Sequence, residues 1–170
     1  LFGGIDTTEG MIANLVRHLL LHPDLLAQVQ ADRGLLANAI EESVRLEPAA
    51  ASVDRYATGA ADLDGASIRE GDMVIVSLAG ANRDPAVFTD PDVFDLHRAE
   101  VGRHLSFARG PHFCIGAHLA RLETRAALNA ILDRLPGLRL DPDHDHAPRG
   151  LIFRKPPQLH VRWSLPDRSA

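Results

Sequence analysis

The chain has 170 residues, of which 45% are apolar and 24% are charged, and its net charge is −5. This length and composition predict one globular domain or part of a larger one. The acidic balance disfavours nucleic acid as a partner, because phosphate binding needs a basic face. Apolar runs fall short of the roughly 18 residues of a membrane span, and one cysteine is typical of a reducing compartment. We therefore expect a soluble, cytoplasmic protein that binds neither membranes nor nucleic acids.

The first residues are unusual, since the chain begins with Leu1-Phe2-Gly3-Gly4 and not with a methionine. This start favours a fragment, a processed chain or part of a longer protein. The segment that follows, Asp6-Thr7-Thr8-Glu9, is typical of a helix start. Asp6 would be the N-cap and Glu9 would close a capping box.

Apolar residues spaced by three and four predict amphipathic helices. Four segments carry such spacing or are bounded by helix-stopping residues: 9–21, 24–33, 34–47 and 115–134. Pro48 ends the third of them, because proline disfavours helical geometry in the residue before it.

The remaining segments predict small sheets and loops. Residues 53–78 are short segments broken by glycine turns and indicate an antiparallel sheet, with 73–78 as the clearest strand. Residues 81–106 are irregular, and such long stretches tend to be functional. A late hairpin is predicted from 151–153 and 159–161, and residues 167–170 are expected to fray. The predicted fold is mainly α with small antiparallel β-sheets.

Cys114 is the only cysteine and lies between a Gly-Pro turn and the predicted helix 115–134. The dipole and free N–H groups of a helix N-terminus favour a thiolate. Gly110 and Gly116 permit close approaches that a Cβ atom would block. A lone cysteine is also commonly a small buried side chain. A zinc site with His112 and His118 is a third possibility, although the second cysteine usual in such sites is missing.

Glu42 and Arg45 form an E-x-x-R pair inside a predicted helix. A spacing of three puts both side chains on one face. Considered alone, this pair is typical of a surface ion pair that contributes little to stability.

These motifs together resemble the cytochrome P450 family. In its haem-binding loop a Phe, a Gly, a basic residue and Cys-x-Gly follow at the spacing seen in Phe107–Gly116. Gly3-Gly4-x-Asp6-Thr7-Thr8 is similar to the family's oxygen-activating helix, and the resemblance implies that Asp6 lies in the middle of a helix and not at its start. E-x-x-R lies between the two motifs, as in the family. The resemblance implies a bacterial, soluble-type P450. Residues 1–170 would form a partial domain, the C-terminal portion from the oxygen helix onward.

The resemblance also implies roles for individual residues. Cys114 would be the axial ligand of the iron of haem b, with Phe107 and Gly116 beside it. Thr7 would bond dioxygen, and Asp6 would relay protons. The other implied roles are oxygen clearance at Gly3 and Gly4, propionate binding by Arg55, His104 and His112, and a structural cluster of Glu42, Arg45 and Arg98. Ala108 departs from the family, which usually has glycine there, and an alanine fits if its φ is negative.

The implied function is that of a haem-thiolate monooxygenase, an oxidoreductase that inserts one atom of dioxygen into a small organic substrate by hydroxylation or epoxidation. Electrons would come from a ferredoxin or flavodoxin with its reductase, docked near Arg103 and Arg109. Residues 49–52 and 151–152 are expected to line the substrate pocket. The alternative is a truncated, haem-free domain that acts as a binding or regulatory module. Neither the substrate nor the redox partner can be predicted.

Overall fold

A computed structural model describes residues 2–164 and is mainly α-helical. The α-helices are α1 (Phe2–Leu21), α2 (Pro23–Ala31), α3 (Leu36–Leu46), α4 (Leu78–Ala81) and α5 (Ala117–Arg134). Short 3₁₀ turns span Arg33–Leu35, Val101–Arg103 and Gly110–His112. The predicted helices are thus present, and the fold class is confirmed. Within the described residues, no helix is long and apolar enough to cross a membrane. The predicted frayed end, 167–170, lies outside the described residues.

The start of α1 decides between the two interpretations of Asp6. The helix already runs from Phe2, so Asp6 and Glu9 lie inside it and have helical neighbours on both sides. The interpretation of Asp6 as an N-cap is therefore wrong. Local chemistry was misleading here because a capping sequence placed within a helix looks the same as one at its start.

The strands form three small antiparallel sheets. Strand β1 (Ser52–Tyr56) pairs with β4 (Met73–Ser77), and a short hairpin joins β2 (Ala61–Leu63) to β3 (Ala66–Ile68). A third pair joins β5 (Arg139–Leu140) to β6 (Val161–Arg162).

The predicted late hairpin is wrong. Val161 pairs with Leu140 and not with residues 151–153, while Phe153 forms an isolated bridge to Ala50. The segment around Phe153 therefore reaches the chain that follows α3, and its local turn joins Arg149 to Lys155 and not residues 151–153 to 159–161.

The core lies where α1 packs against α3 and α5. Large, deeply buried side chains come from these helices, from α2 and from the irregular segment: Leu15, Leu19, Val29, Leu36, Ile40, Leu96 and Leu128. Gly10 lets α1 approach its neighbours closely, since a Cβ atom there would lie 3.1 Å from that of Ala49. This close contact brings the middle of α1 against the segment that follows α3.

Candidate active site

A cleft of about 220 Å³ separates the first turns of α1 from the cysteine loop, residues 107–116. Gly3, Gly4 and Thr7 contribute one wall, and residues at least 100 positions later in the chain contribute the opposite wall. The side of the loop comprises Phe107, Ala108, His112, Cys114 and Gly116, and the remaining walls are mostly apolar, with Val44, Ala49, Ala50, Val53 and Leu78 among them. The fold thus brings together seven of the residues to which the resemblance gave catalytic or haem-binding roles: Gly3, Gly4, Thr7, Phe107, His112, Cys114 and Gly116.

Cys114 is exposed to this cleft and lies just before α5. Its N–H donates a 2.8 Å hydrogen bond to the carbonyl oxygen of Phe107, which closes the loop. A Cβ atom at Gly116 would lie 3.9 Å from the sulfur. Because Cys114 is exposed, the interpretation as a small buried side chain is wrong. No cluster of three metal-binding side chains occurs within residues 2–164, which disfavours zinc.

Across the cleft, α1 offers open space and a hydroxyl group. Cβ atoms at Gly3 and Gly4 would meet no atom within 4 Å, so both glycines leave room beside the loop. The Thr7 hydroxyl donates a 2.6 Å hydrogen bond to the carbonyl oxygen of Gly3. Such bonds to the preceding turn disturb the helical ladder locally.

Asp6 is held by a cation that the sequence did not indicate. Its carboxylate lies 3.1 Å from the ammonium group of Lys155, which also contacts Glu9 at 2.8 Å. The hydrogen bond with Glu9, and after it that with Asp6, raises the pKa of Lys155. Lys155 and Asp6 are 149 positions apart in the chain, so no local pattern could have predicted this contact.

Ala108 adopts a left-handed backbone conformation, with φ of 57°. The expectation of a negative φ at this position is therefore wrong. A non-glycine residue in this region costs about 1–2 kcal/mol, because its Cβ atom crowds the following carbonyl oxygen. The preference of the family for glycine here thus has a steric cause, and this chain keeps the loop at some cost in stability.

Glu42, Arg45 and Arg98 form a buried ion-pair cluster. The carboxylate of Glu42 accepts bonds of 2.7 and 2.8 Å from Arg45 and of 3.0 and 3.2 Å from Arg98. Both Glu42 and Arg45 are fully buried. The interpretation as a surface pair is therefore wrong. Arg98 of the irregular segment packs over Glu42 on α3 and completes the burial of the pair.

The arginines of this cluster also bind the backbone of the irregular segment. Carbonyl oxygens of Asn82 and Pro91 accept from Arg45, and that of Val93 accepts from both arginines. These bonds give residues 82–98 a defined course that carries the chain toward the cysteine loop.

The prediction that His104 contacts a propionate is not supported by its position. Its Nε2–H donates to Glu41 over 3.0 Å, and its Nδ1 accepts the N–H of Ser106. His104 is buried with both ring nitrogens in use, so it serves the support of the loop and not the cleft. The geometry of the loop, which is not readable in the sequence, turns this side chain away.

The other predicted basic and pocket residues have mixed positions. His112 lines the cleft. Arg55 is exposed on β1, and its guanidinium bonds the carbonyl oxygen of Asp54. It lies two residues from Val53, which lines the cleft, and therefore on the same strand face. Ala49 and Ala50 also line the cleft, whereas Leu151 is almost fully exposed.

Comparison with known proteins agrees with the geometry of the cleft. The family model "Cytochrome P450" matches residues 1–160. The chain belongs to the cytochrome P450 family. This assignment covers the α1 motif, the buried ion-pair cluster and the cysteine loop together.

Individual P450 relatives are similar over most of this chain. Cytochrome P450 monooxygenase PikC of Streptomyces venezuelae is 45% identical over 169 residues, which cover 99% of this chain and 39% of that protein. The biotin biosynthesis cytochrome P450 of Bacillus subtilis is 43% identical and is matched over 81% of this chain and 34% of its own length. The crystal structure of P450BioI with a ligated acyl carrier protein superposes with a TM-score of 0.89 at 40% identity, covering 95% of this chain and 42% of that one. The chain therefore spans about two fifths of the length of the P450s it resembles.

Proposed function

We propose that this chain is the C-terminal part of a cytoplasmic haem-thiolate monooxygenase that inserts one oxygen atom of dioxygen into a small organic substrate. The observation that carries the proposal is the shared cleft. Cys114 lines it from one side, and Gly3, Gly4 and Thr7 line it from the other. A module without haem would have no use for an exposed sulfur and a glycine gap facing each other.

The residues around the cleft fit a haem. A thiolate is an established axial ligand of haem iron, and the mostly apolar walls suit a flat macrocycle. The only cysteine of the chain is assigned to the iron, and covalent attachment needs a Cys-x-x-Cys-His motif. The cofactor would therefore be the non-covalent haem b. His112 and Arg55 are the side chains we assign to its propionates.

A thiolate-ligated haem supplies reductive activation of dioxygen, a reaction that side chains cannot perform. The residues of this chain would hold the cofactor, orient it in the cleft and supply protons. Cys114 would hold the iron from one side of the cleft, and Gly3 and Gly4 leave space on the other side. The hydroxyl oxygen of Thr7, whose hydrogen is bonded to the carbonyl oxygen of Gly3, can accept a hydrogen bond from a water molecule and so hold it in the cleft.

Asp6 is the residue we assign to proton supply from solvent. Its side chain is about half exposed beside Lys155, so it meets water directly. It also lies next to Thr7 on the turn of α1 that borders the cleft. A general acid in such a position shortens the path between solvent and the reacting group.

Electron supply is assigned to a ferredoxin or flavodoxin with its reductase, outside these 170 residues. An iron–sulfur cluster needs about four cysteines, and this chain has one. Arg103 and Arg109 are exposed beside the cysteine loop and would meet an acidic partner there.

The test is reconstitution with haem, followed by turnover with ferredoxin, its reductase and NADPH. Thr7→Val should keep the haem spectrum but divert reduced oxygen into hydrogen peroxide. Because acid–base groups contribute about 10²–10⁴-fold, we expect coupling to fall by at least about tenfold. Thr58→Val, on an exposed loop away from the cleft, is the matched control. A chain that takes up no haem would support the haem-free module and contradict the proposal.

A further inference from the structure

A second charged cluster contacts the cysteine loop, and its members, Glu41, His104 and Arg121, are not among the residues that line the cleft. Glu41 accepts bonds of 2.6 and 2.7 Å from the guanidinium group of Arg121 and one of 3.0 Å from His104. Burial would raise the pKa of Glu41, but the bonds from Arg121 and His104 outweigh it and lower the pKa to about 2. The carboxylate is therefore ionised at neutral pH and holds both partners.

This cluster contacts the loop at two points. The guanidinium carbon of Arg121 lies 4.3 Å from the centre of the Phe107 ring, in a cation–π arrangement. His104 accepts the N–H of Ser106, the residue before Phe107. The carbonyl oxygen of Phe107 in turn accepts the N–H of Cys114. A continuous path of contacts thus leads from Glu41 to the backbone of the cysteine.

We infer that Arg121, held by Glu41 and His104, is a positioning residue that fixes Phe107 and through it the orientation of Cys114. The inference deepens the proposed function and rests on it, because the orientation of the Cys114 sulfur matters most if that sulfur binds iron. Arginine suits this role because its planar fork can bind a carboxylate with two bonds while its face stacks on a ring. Lysine offers the same charge without that geometry.

Hydrogen exchange at the Cys114 amide of the haem-free chain tests the inference without any cofactor. Arg121→Met and Arg121→Lys should each speed exchange at this amide about tenfold, since local opening becomes easier once the clamp is gone. The amide of Leu128, further along α5, should keep its rate. Arg125→Met removes an exposed arginine one turn away on the same helix and should leave both amides unchanged.

Glu41→Gln provides a second variant, because it weakens the grip on Arg121 while keeping the shape of the side chain. Selective acceleration at Cys114 in this variant would again support the inference. Unchanged exchange at Cys114 in both Arg121→Met and Glu41→Gln would overturn it. Equal acceleration at Cys114 and Leu128 in both would also overturn it, since the cluster would then serve global stability alone.

The haem-loaded protein gives an independent readout. Removing the positive charge in Arg121→Met should lower the midpoint potential of the iron and reduce the thiolate share of the CO-difference spectrum, while Arg125→Met should change neither. Haem uptake with an unaltered potential and spectrum in Arg121→Met would contradict the inference. If the chain binds no haem while exchange at Cys114 responds as expected, the proposed function fails and the positioning of the loop stands.

Discussion

Replacing Glu42 by glutamine tests the buried ion-pair cluster most severely. The substitution keeps the shape of the side chain but removes the one negative charge shared by Arg45 and Arg98, which are 0% and 5% exposed. Breaking a buried ion pair by removing one partner costs about 3–5 kcal/mol. Two buried cations lose their partner here, so we expect a loss at the upper end, about 4–5 kcal/mol.

Such a loss is a large part of the roughly 5–15 kcal/mol that stabilises a typical domain. The assay is urea unfolding of the haem-free chain at pH 7, followed by far-ultraviolet circular dichroism. With a slope of about 1–3 kcal/mol per molar urea, the midpoint should fall by roughly 2 M. This shift is well outside the error of the measurement.

The matched control is Asp133→Asn, which breaks the ion pair with Arg33 at the surface. Its N–O distance is also 3.0 Å, but the side chain of Asp133 is 67% exposed. Pairs of this kind contribute about 0–1 kcal/mol. If Glu42→Gln cost no more than Asp133→Asn, the reasoning that burial makes this cluster indispensable would be refuted.

Three further predictions concern stability and are checked by the same unfolding assay. Ala108→Gly should stabilise the chain by about 0.5–1 kcal/mol, because relief of the left-handed strain exceeds the entropy that glycine adds to the unfolded state; a loss of stability would contradict the strained φ. Acidification is the second test. The pKa of Glu41 is lowered from 4.5 to about 2, so its contribution to the free energy of unfolding is complete above pH 4.5 and is lost as the pH falls toward 2. Since the side chain is 19% exposed, screening reduces this contribution to about 1–2 kcal/mol, and Glu41→Gln should abolish that part of the pH dependence. Gly4→Ala should stabilise α1 by about 0.5–1 kcal/mol, because alanine favours a helix more than glycine does. Gly10→Ala should have a free energy of unfolding about 1–2 kcal/mol below that of Gly4→Ala. The reason is that the new Cβ atom at position 10 would lie 3.1 Å from that of Ala49. Equal effects at the two glycines would show that this close contact yields freely.

Short motifs of fixed spacing were the part of the site that sequence could predict. Glu42 and Arg45 share a helix face, and Phe107 and Cys114 share one loop, so their proximity follows from local geometry. The resemblance then linked Thr7 and Cys114, which lie on opposite walls of the cleft. Apolar spacing located four of the helices, because it survives without knowledge of the fold, but it missed the start of α1 at Phe2 and the short α4.

Features that depend on distant contacts escaped prediction. Lys155 reaches Asp6 from 149 positions away, and Arg121 reaches Glu41 from 80 positions away. His104 has the same sequence neighbours whether it faces the cleft or Glu41, so only the fold decides its direction. The two-residue strand that contains Val161 is too short to show alternation, which is why its pairing with Leu140 was missed.

The most direct test of the account is the CO-difference spectrum of the reduced, haem-reconstituted chain, compared with that of Cys114→Ser. The account predicts that the wild-type chain gives the long-wavelength Soret band from which the family takes its name, and that Cys114→Ser loses this band. A variant that kept the thiolate band would show that the sulfur of Cys114 is not the ligand. A wild-type chain that bound no haem would contradict the proposed function itself.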